Sequence, residues 1–366
     1  MQAAQPPPQW QRSRVLLLLA ATETAAVPGI SAAGATPASR LGTAAADAEL
    51  LLRGPGPGRP HALPPLPAGV SPALISHVVL RELGLLERLV VADLGCAVAP
   101  AIPHLRLPGQ EGDGPARCLS SGQAMALERV EALLARGRAW GQALPPGDPL
   151  VLAECVPGGT TTALAVLRGL GLAADGLVSG SLRRSAHALK AALVDQGLAA
   201  AALEGESTVP ARVLAAVGDP MQPLAAGLLL AAAGRGVPVL LAGGSQMAAV
   251  LAVALALASP AQRARLATAT WLATTAWVAE EPESDLERLL ALIAARWQVE
   301  PRLRVAGLRF HACRSAALRD YERGFVKEGV GAGGLAWIWQ RLGRDPAALA
   351  EACDRACTHL FAEAGA

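Results

Sequence analysis

The sequence predicts an α/β protein: a mainly parallel open sheet covered by helices on both faces, with a small helical subdomain contributed by the chain termini. Three observations predict it. Short apolar runs alternate with helical patterns along most of the 366 residues, as strand–helix–strand units require. The runs are apolar throughout rather than alternating, "VPVLLA" at 237–242 for example, which suits strands buried on both faces. Hydrophobic residues make up 52% and charged residues 17%, enough for a sizeable core and too little charge for a disordered chain.

Residues 1–13, with three consecutive prolines, read as a flexible N-terminal tail. Two arginines then precede an apolar run at 15–21, as in a secretory leader. The run ends in the polar "TET" and is far shorter than a membrane span, so 14–21 reads as the first strand. Further strands are expected at 88–93, 149–153, 213–217, 237–241, 270–278 and 304–310. Helices are expected at 72–83, 124–135, 161–170, 182–194, 224–233, 246–258 and 285–296. The stretch "RGPGPGRPHALPPLPAGVSP" (53–72) is a loop or crossover, because Pro and Gly interrupt both kinds of ladder. In "RDPAALAEACDRACTHLFAEA", Asp345 is placed to cap and Pro346 takes the first helical position. Residues 345–366 are therefore expected as a helix packed on the main domain, 14–344, or on a partner subunit.

Composition narrows the function. A net charge of +2 without a Lys/Arg block, and 3% aromatics, argue against a nucleic-acid surface or a base-stacking platform. None of the six cysteines forms a CxxC pair. Cys353 and Cys357, four apart with His359 nearby, read as small buried side chains rather than metal ligands. Scattered reduced thiols point to the cytoplasm.

Ligands in open parallel sheets sit beyond the carboxyl ends of the strands. Four expected strand ends are small or polar: "TET" (22–24), "ECVPGGTTT" (154–162), "GDPMQP" (218–223) and "AGGSQ" (242–246). Together they predict one shared pocket. In the second, glycines at 158 and 159 let backbone N–H groups approach an anion, and Thr160 and Thr161 add hydroxyls at a helix N-terminus. That chemistry fits a single phosphate, or simply a capped turn with Thr160 as N-cap. The lysine and first glycine of a Walker A loop are missing.

"GVGAGG" at 329–334 lacks the strands of a dinucleotide fingerprint. Glu328 before it is more informative: a carboxylate in a partly dry pocket has the raised pKa of a general base, although a solvent-facing Glu beside Lys327 is equally consistent with the sequence. In "CLSSGQAM" (118–125), Ser121 and Gln123 could line an aromatic-base pocket or merely cap the next helix.

"ECVPGGTTTALAVL", "GDPMQPLAAG", "VPVLLAGGSQMAAV" and "YERGFVKEGVGAGG", in this order, resemble the archaeal and cyanobacterial branch of the nicotinate-nucleotide–dimethylbenzimidazole phosphoribosyltransferases. The likeness runs from about residue 14 to 340. The family's G-E-G-T-G corresponds to 327–331, with Glu328 at the base position. Its E-M-G-I-G-N-T-T corresponds to 154–161, with Gly159 replacing the asparagine. Its L-L-D-G corresponds to "LLAG" (240–243), with Ala242 replacing the acidic residue.

The resemblance implies transfer of the phosphoribosyl group of nicotinate mononucleotide to a benzimidazole-type base, for cobamide lower-ligand assembly. It implies Glu328 as catalytic base, Glu154, Gly158, Gly159, Thr160, Thr161, Asp219, Gly243 and Gly244 around phosphate and ribose, and Ser121 and Gln123 near the base. Small-molecule substrates, a homodimer, and no cofactor, metal, nucleic acid or membrane go with it. Ala242 leaves one alternative standing, a non-catalytic nucleotide-binding protein that retains the pocket; a nucleotide hydrolase is a further one.

Overall fold

The structure is a computed structural model and describes residues 8–203 and 209–364. Its strands are β1 (Arg14–Leu19), β2 (Leu89–Asp93), β3 (Leu105–Arg106), β4 (Leu150–Cys155), β5 (Val239–Ala242), β6 (Thr270–Thr275) and β7 (Leu303–Ala306). They form one sheet in the order β3-β2-β1-β4-β5-β6-β7, and every pairing is parallel. Leu17 lies opposite both Val91 and Ala153, and Leu240 opposite both Val151 and Trp271. From β1 the chain builds outward on one side through β2 and β3, then crosses to β4 and builds the other side. The order therefore reverses between β1 and β4, and a crevice opens beyond their carboxyl ends.

The period-two alternation of a strand divides the sheet into two cores. Leu16, Leu18, Leu150, Leu152, Val239 and Leu241 face one. Val15, Leu17, Leu19, Val151, Ala153, Leu240 and Ala242 face the other. Both sets are apolar because both faces are covered, which explains the unbroken hydrophobic runs. Helices from the middle of the chain, among them Leu127–Ala143, Gly159–Gly169, Met221–Gly234 and Ser245–Leu257, cover the first face. Helices from the two ends of the chain, Thr43–Arg53, Ala73–Glu82, Ala332–Arg341 and Pro346–Ala364, cover the second. The expected parallel sheet covered by helices on both faces is the one found; the chain-end helices, expected as a small subdomain, form the layer over the second face. No helix among the described residues is long and apolar enough to cross a membrane.

Several boundaries differ from expectation. The expected strand at 213–217 is the end of a helix, Pro210–Val217. Proline at its first position starts the helix, and Val213, Leu214, Ala216 and Val217 make its buried face; two β-branched valines suggested a strand, and tertiary packing overrode them. The strand expected at 270–278 stops at Thr275, whose hydroxyl accepts from Val278 N and starts the short helix Ala276–Ala279. The strand expected at 304–310 spans Leu303–Ala306.

The inner end of the expected tail is held to the domain. Trp10 is buried, with its ring edge-on to Trp271 at 5.6 Å and to Trp337 at 5.5 Å, and such aromatic contacts fix a chain end. Residues 1–7 lie outside the described residues. The C-terminal helix packs on the domain itself, burying Leu349, Cys353, Cys357 and Leu360 in the second core.

Candidate active site

The crevice between β1 and β4 is closed by the glycine turn. β4 ends at Cys155, and the helix Gly159–Gly169 begins after three residues. Gly158 sits at φ +82°, and a Cβ there would lie 3.0 Å from the Ala25 nitrogen in the turn after β1. Only glycine meets both demands. A Cβ on Gly159 would lie 1.9 Å from Gln246 Oε1, so its absence lets Gln246 reach across to hydrogen-bond the Glu154 carboxyl. Gly159 N–H donates to Val156 O and Thr161 N–H to Gly158 O, both at 2.9 Å. The turn is tight, and the first turn of the helix faces the crevice.

Glu328 arrives from the far end of the chain. It lies between β7 and the helix Ala332–Arg341, in a loop where Val326, Lys327 and Val330 all have positive φ. Its Oε2 accepts from Thr274 Oγ1 and Thr275 N at 2.9 Å each, its Oε1 from Gly333 N at 3.0 Å and Gly329 N at 3.1 Å. Thr274 and Thr275 end β6, so the sheet edge itself orients the carboxylate. Burial raises the pKa of Glu328, and the four donors oppose the rise. The loop is also pinned to β4: Val330 N–H donates to Glu154 O at 3.0 Å, and Ser76 Oγ to Val330 O at 2.8 Å.

Glu154 and Asp219 complete a carboxylate group. Glu154 is pushed up to about 8, first by burial and then by the charges of Asp219 and Glu328, while the Val156 N–H and Gln246 pull it down. Asp219 is pushed up to about 6 by burial. Its two oxygens take Thr162 Oγ1 at 2.5 Å and Met221 N at 3.0 Å, so it ties two helices together.

One cavity of about 760 Å³ contains this chemistry. Glu154, Gly158, Gly159, Thr160, Gly244 and Glu328 all line it, so Glu328 and the glycine turn share one cavity. Thr161, Asp219 and Gly243 are not among its lining residues; Thr161 and Asp219 are fully buried behind the wall. Ser121 and Gln123 are not there either. Both are exposed, and the Ser121 hydroxyl closes its own turn, donating to Cys118 O and accepting from Gln123 N. They cap a turn, and the base-pocket reading is corrected. "GDPMQP" follows a helix rather than a strand, which is why it does not reach the cavity. "TET" does not line it either; the residue after it, Ala25, is the one that meets Gly158.

Sequence reasoning missed other lining residues. Asp47 lines the cavity, accepts from Ser71 Oγ at 2.6 Å, and is pushed up to about 6 by burial. Two acids, Asp47 and Glu49, inside the otherwise apolar "AAADAELLL" were an available signal. Arg59 and His61, in the Pro/Gly-rich loop, also line it. Fully buried Glu49 holds that loop in place, accepting from His61 N at 3.0 Å and Ala101 N at 2.9 Å, with His61 Nδ1 at 2.6 Å. Ser179, Gly180 and Ser181 form a third wall. Behind them sits Lys190, 1% exposed, its Nζ donating to Ser179 O at 3.0 Å and its pKa lowered by burial to about 8.

Ala242 also has an explanation. Cβ atoms built on Gly334 and Gly331 would lie 2.3 and 3.5 Å from its Cβ. The start of the helix Ala332–Arg341 rests directly on the end of β5, leaving no room for an acidic side chain.

Residues 82–271 match a family model described as phosphoribosyltransferase (DBI_PRT). The chain belongs to this phosphoribosyltransferase family. Its relatives include UPF0284 proteins of Prochlorococcus marinus (strain MIT 9313), 53% identical over 95% of this chain and 86% of the relative, and of Gloeobacter violaceus, 49% identical over 94% and 87%. The fold is similar to that of CobT from Thermus thermophilus, with a TM-score of 0.57 at 21% identity over 93% of this chain and 82% of the other. The resemblance read from the motifs thus holds at the level of the family, and the protein is a phosphoribosyltransferase in which the Glu154 and Glu328 carboxylates and the glycine turn line one cavity.

Proposed function

We propose that the protein transfers the phosphoribosyl group of nicotinate mononucleotide to a benzimidazole-type or related aromatic base, giving an α-ribazole phosphate and nicotinate for cobamide assembly. One observation carries this reading: Glu328 and the Gly158–Thr160 cradle line the same cavity from distant parts of the chain. The phosphate is held by the glycine turn and the Ser179–Ser181 wall, with the positive charge of Lys190 behind it. The ribosyl carbon then lies toward the carboxylates.

The chemistry balances without a metal or redox partner. The C1′–N bond to the pyridinium breaks, and its electron pair leaves with nicotinate as a neutral ring nitrogen, so no general acid is needed. A lone pair on an acceptor ring nitrogen forms the new bond at C1′ with inversion. The acceptor's N–H proton passes to Glu328, a contribution of roughly 10²–10⁴-fold. Positioning of the bound pair supplies a larger share, and a carboxylate near C1′ stabilises developing ribosyl cation character. A homodimer belongs to the same proposal on the strength of the family resemblance, and sedimentation velocity checks it.

The deciding experiment mixes purified protein with nicotinate mononucleotide, with and without candidate bases, and follows nicotinate. Base-dependent release is expected. Release without a base would make the protein a hydrolase, and tight binding without release would make it a binding protein.

A further inference from the structure

Lys327 precedes the proposed base and is buried, 1% exposed, at φ +67°. Glycine adopts this backbone without strain, whereas a lysine there is strained. Its side chain does not reach solvent. Nζ donates to Glu281 Oε1 at 2.7 Å and to Leu182 O at 2.8 Å. The other Glu281 oxygen accepts from the hydroxyls of Ser179 and Ser284, and Ser179 N–H donates to Ser245 Oγ at 2.9 Å. The backbone follows the same route: Val326 N–H donates to Ser181 O at 3.1 Å, and Thr275 Oγ1 to Lys327 O at 2.6 Å. Ser179, Ser181, Ser245 and Glu328 all line the cavity. The loop is therefore anchored at two points, the Glu328 carboxylate to the end of β6 and the Lys327 ammonium to the serine wall.

A buried ion pair contributes little net stability compared with an apolar pair of equal volume, so stability does not explain a charged side chain in a strained backbone. We propose that Lys327 is a positioning residue: clamped by Glu281, it ties the strained loop to the Ser179–Ser181 wall and so sets where the Glu328 carboxylate sits. The proposal rests on the phosphoribosyl-transfer reading. Without the clamp the left-handed residues relax, and a displacement of about 1 Å at a reacting group costs on the order of 10²-fold.

The test replaces both charges by neutral groups of similar volume, Lys327→Met with Glu281→Gln, and measures nicotinate release at saturating base alongside thermal unfolding. The expected result is a folded protein whose kcat falls at least tenfold while KM for nicotinate mononucleotide stays within about threefold, a split that a merely structural role does not produce. Glu281→Gln alone, which keeps an acceptor for Lys327 but removes the charge, is expected to lower kcat at least threefold; it decides the matter if the double variant does not fold. Wild-type kcat in whichever variant folds, or a raised KM at unchanged kcat, overturns the assignment. A wild-type control that releases no nicotinate removes the transfer reading and this assignment with it, whereas an active wild type with unaffected variants removes the assignment alone.

Discussion

The glycine turn at 156–160 and the Glu328 loop at 326–331 close on the same cavity, yet they reach their shapes by different means. In the turn, the residues at the awkward positions are glycines: Gly158 takes the left-handed backbone, and Gly159 the place where any Cβ would collide with Gln246. In the Glu328 loop, Val326, Lys327 and Val330 stand in left-handed backbone that their side chains oppose, at about 1–3 kcal/mol each. The turn is held by its own neighbours. The loop is held from outside, by Thr274 and Thr275, Ser76, the Glu154 carbonyl, Ser181 and Glu281. A locally satisfied turn suits a ground-state cradle for phosphate. A loop clamped from several sides suits a group that must meet a reacting atom at one distance.

The largest effect is expected at the carboxylate. Glu328→Gln is expected to lower turnover by at least tenfold, and by as much as 10²–10⁴-fold, while nicotinate mononucleotide still binds. Because all four partners of Glu328 are donors, the amide nitrogen of Gln meets a donor wherever it points, and the unfolding midpoint should drop as well. Turnover at the wild-type rate would remove Glu328 from the chemistry and leave its loop merely structural.

The turn is tested by Gly158→Ala. An added methyl meets Ala25 backbone atoms at 3.0–3.1 Å in a backbone alanine disfavours, so the loss of stability should be about 1–3 kcal/mol. Since the strand end must shift, KM for nicotinate mononucleotide should rise several-fold with a smaller change in kcat. That is the mirror image of the pattern expected at Glu328. A fall in kcat with unchanged KM would mean that the turn, too, acts on the reacting atoms.

The same contrast explains what the sequence made legible. The glycine turn carries its reasons locally, and the apolar runs expose the doubly covered sheet, so both could be read. Glu328 was marked as a base by its neighbourhood, but the four donors that orient it come from other segments. Lys190 and Lys327 gave no signal, because a lysine in an amphipathic pattern ordinarily reads as a solvated face. Ser121 and Gln123 misled for the opposite reason: a polar cluster before a helix looks the same whether it caps a turn or faces a ligand. Asp219 misled because "GDPMQP" was placed after a strand; once 210–217 is a helix, its aspartate faces Thr162 and Met221 N–H.

Glu154 joins the two regions, and its titration offers the smallest effect. Its carboxyl accepts from Val156 N–H in the turn at 3.0 Å, and its carbonyl from Val330 N–H in the loop at 3.0 Å. Burial and the neighbouring carboxylates raise its pKa from the ordinary 4.5 to about 8. Between those values the folded protein keeps a proton that the unfolded chain has lost, so stability is full below about pH 4.5 and declines as pH rises toward 8. Glu154→Gln is neutral at every pH and should escape that decline. Asp219 and Asp47, both pushed up to about 6 by burial, add a decline of the same sign at lower pH, but they are common to both proteins and cancel in the difference. The wild-type midpoint should therefore fall below that of Glu154→Gln by a few degrees between pH 6 and pH 8.5, measured by thermal unfolding. Parallel curves would mean that Glu154 ionises as freely as a surface carboxylate, and the joint between turn and loop would then be no drier than the solvent around it.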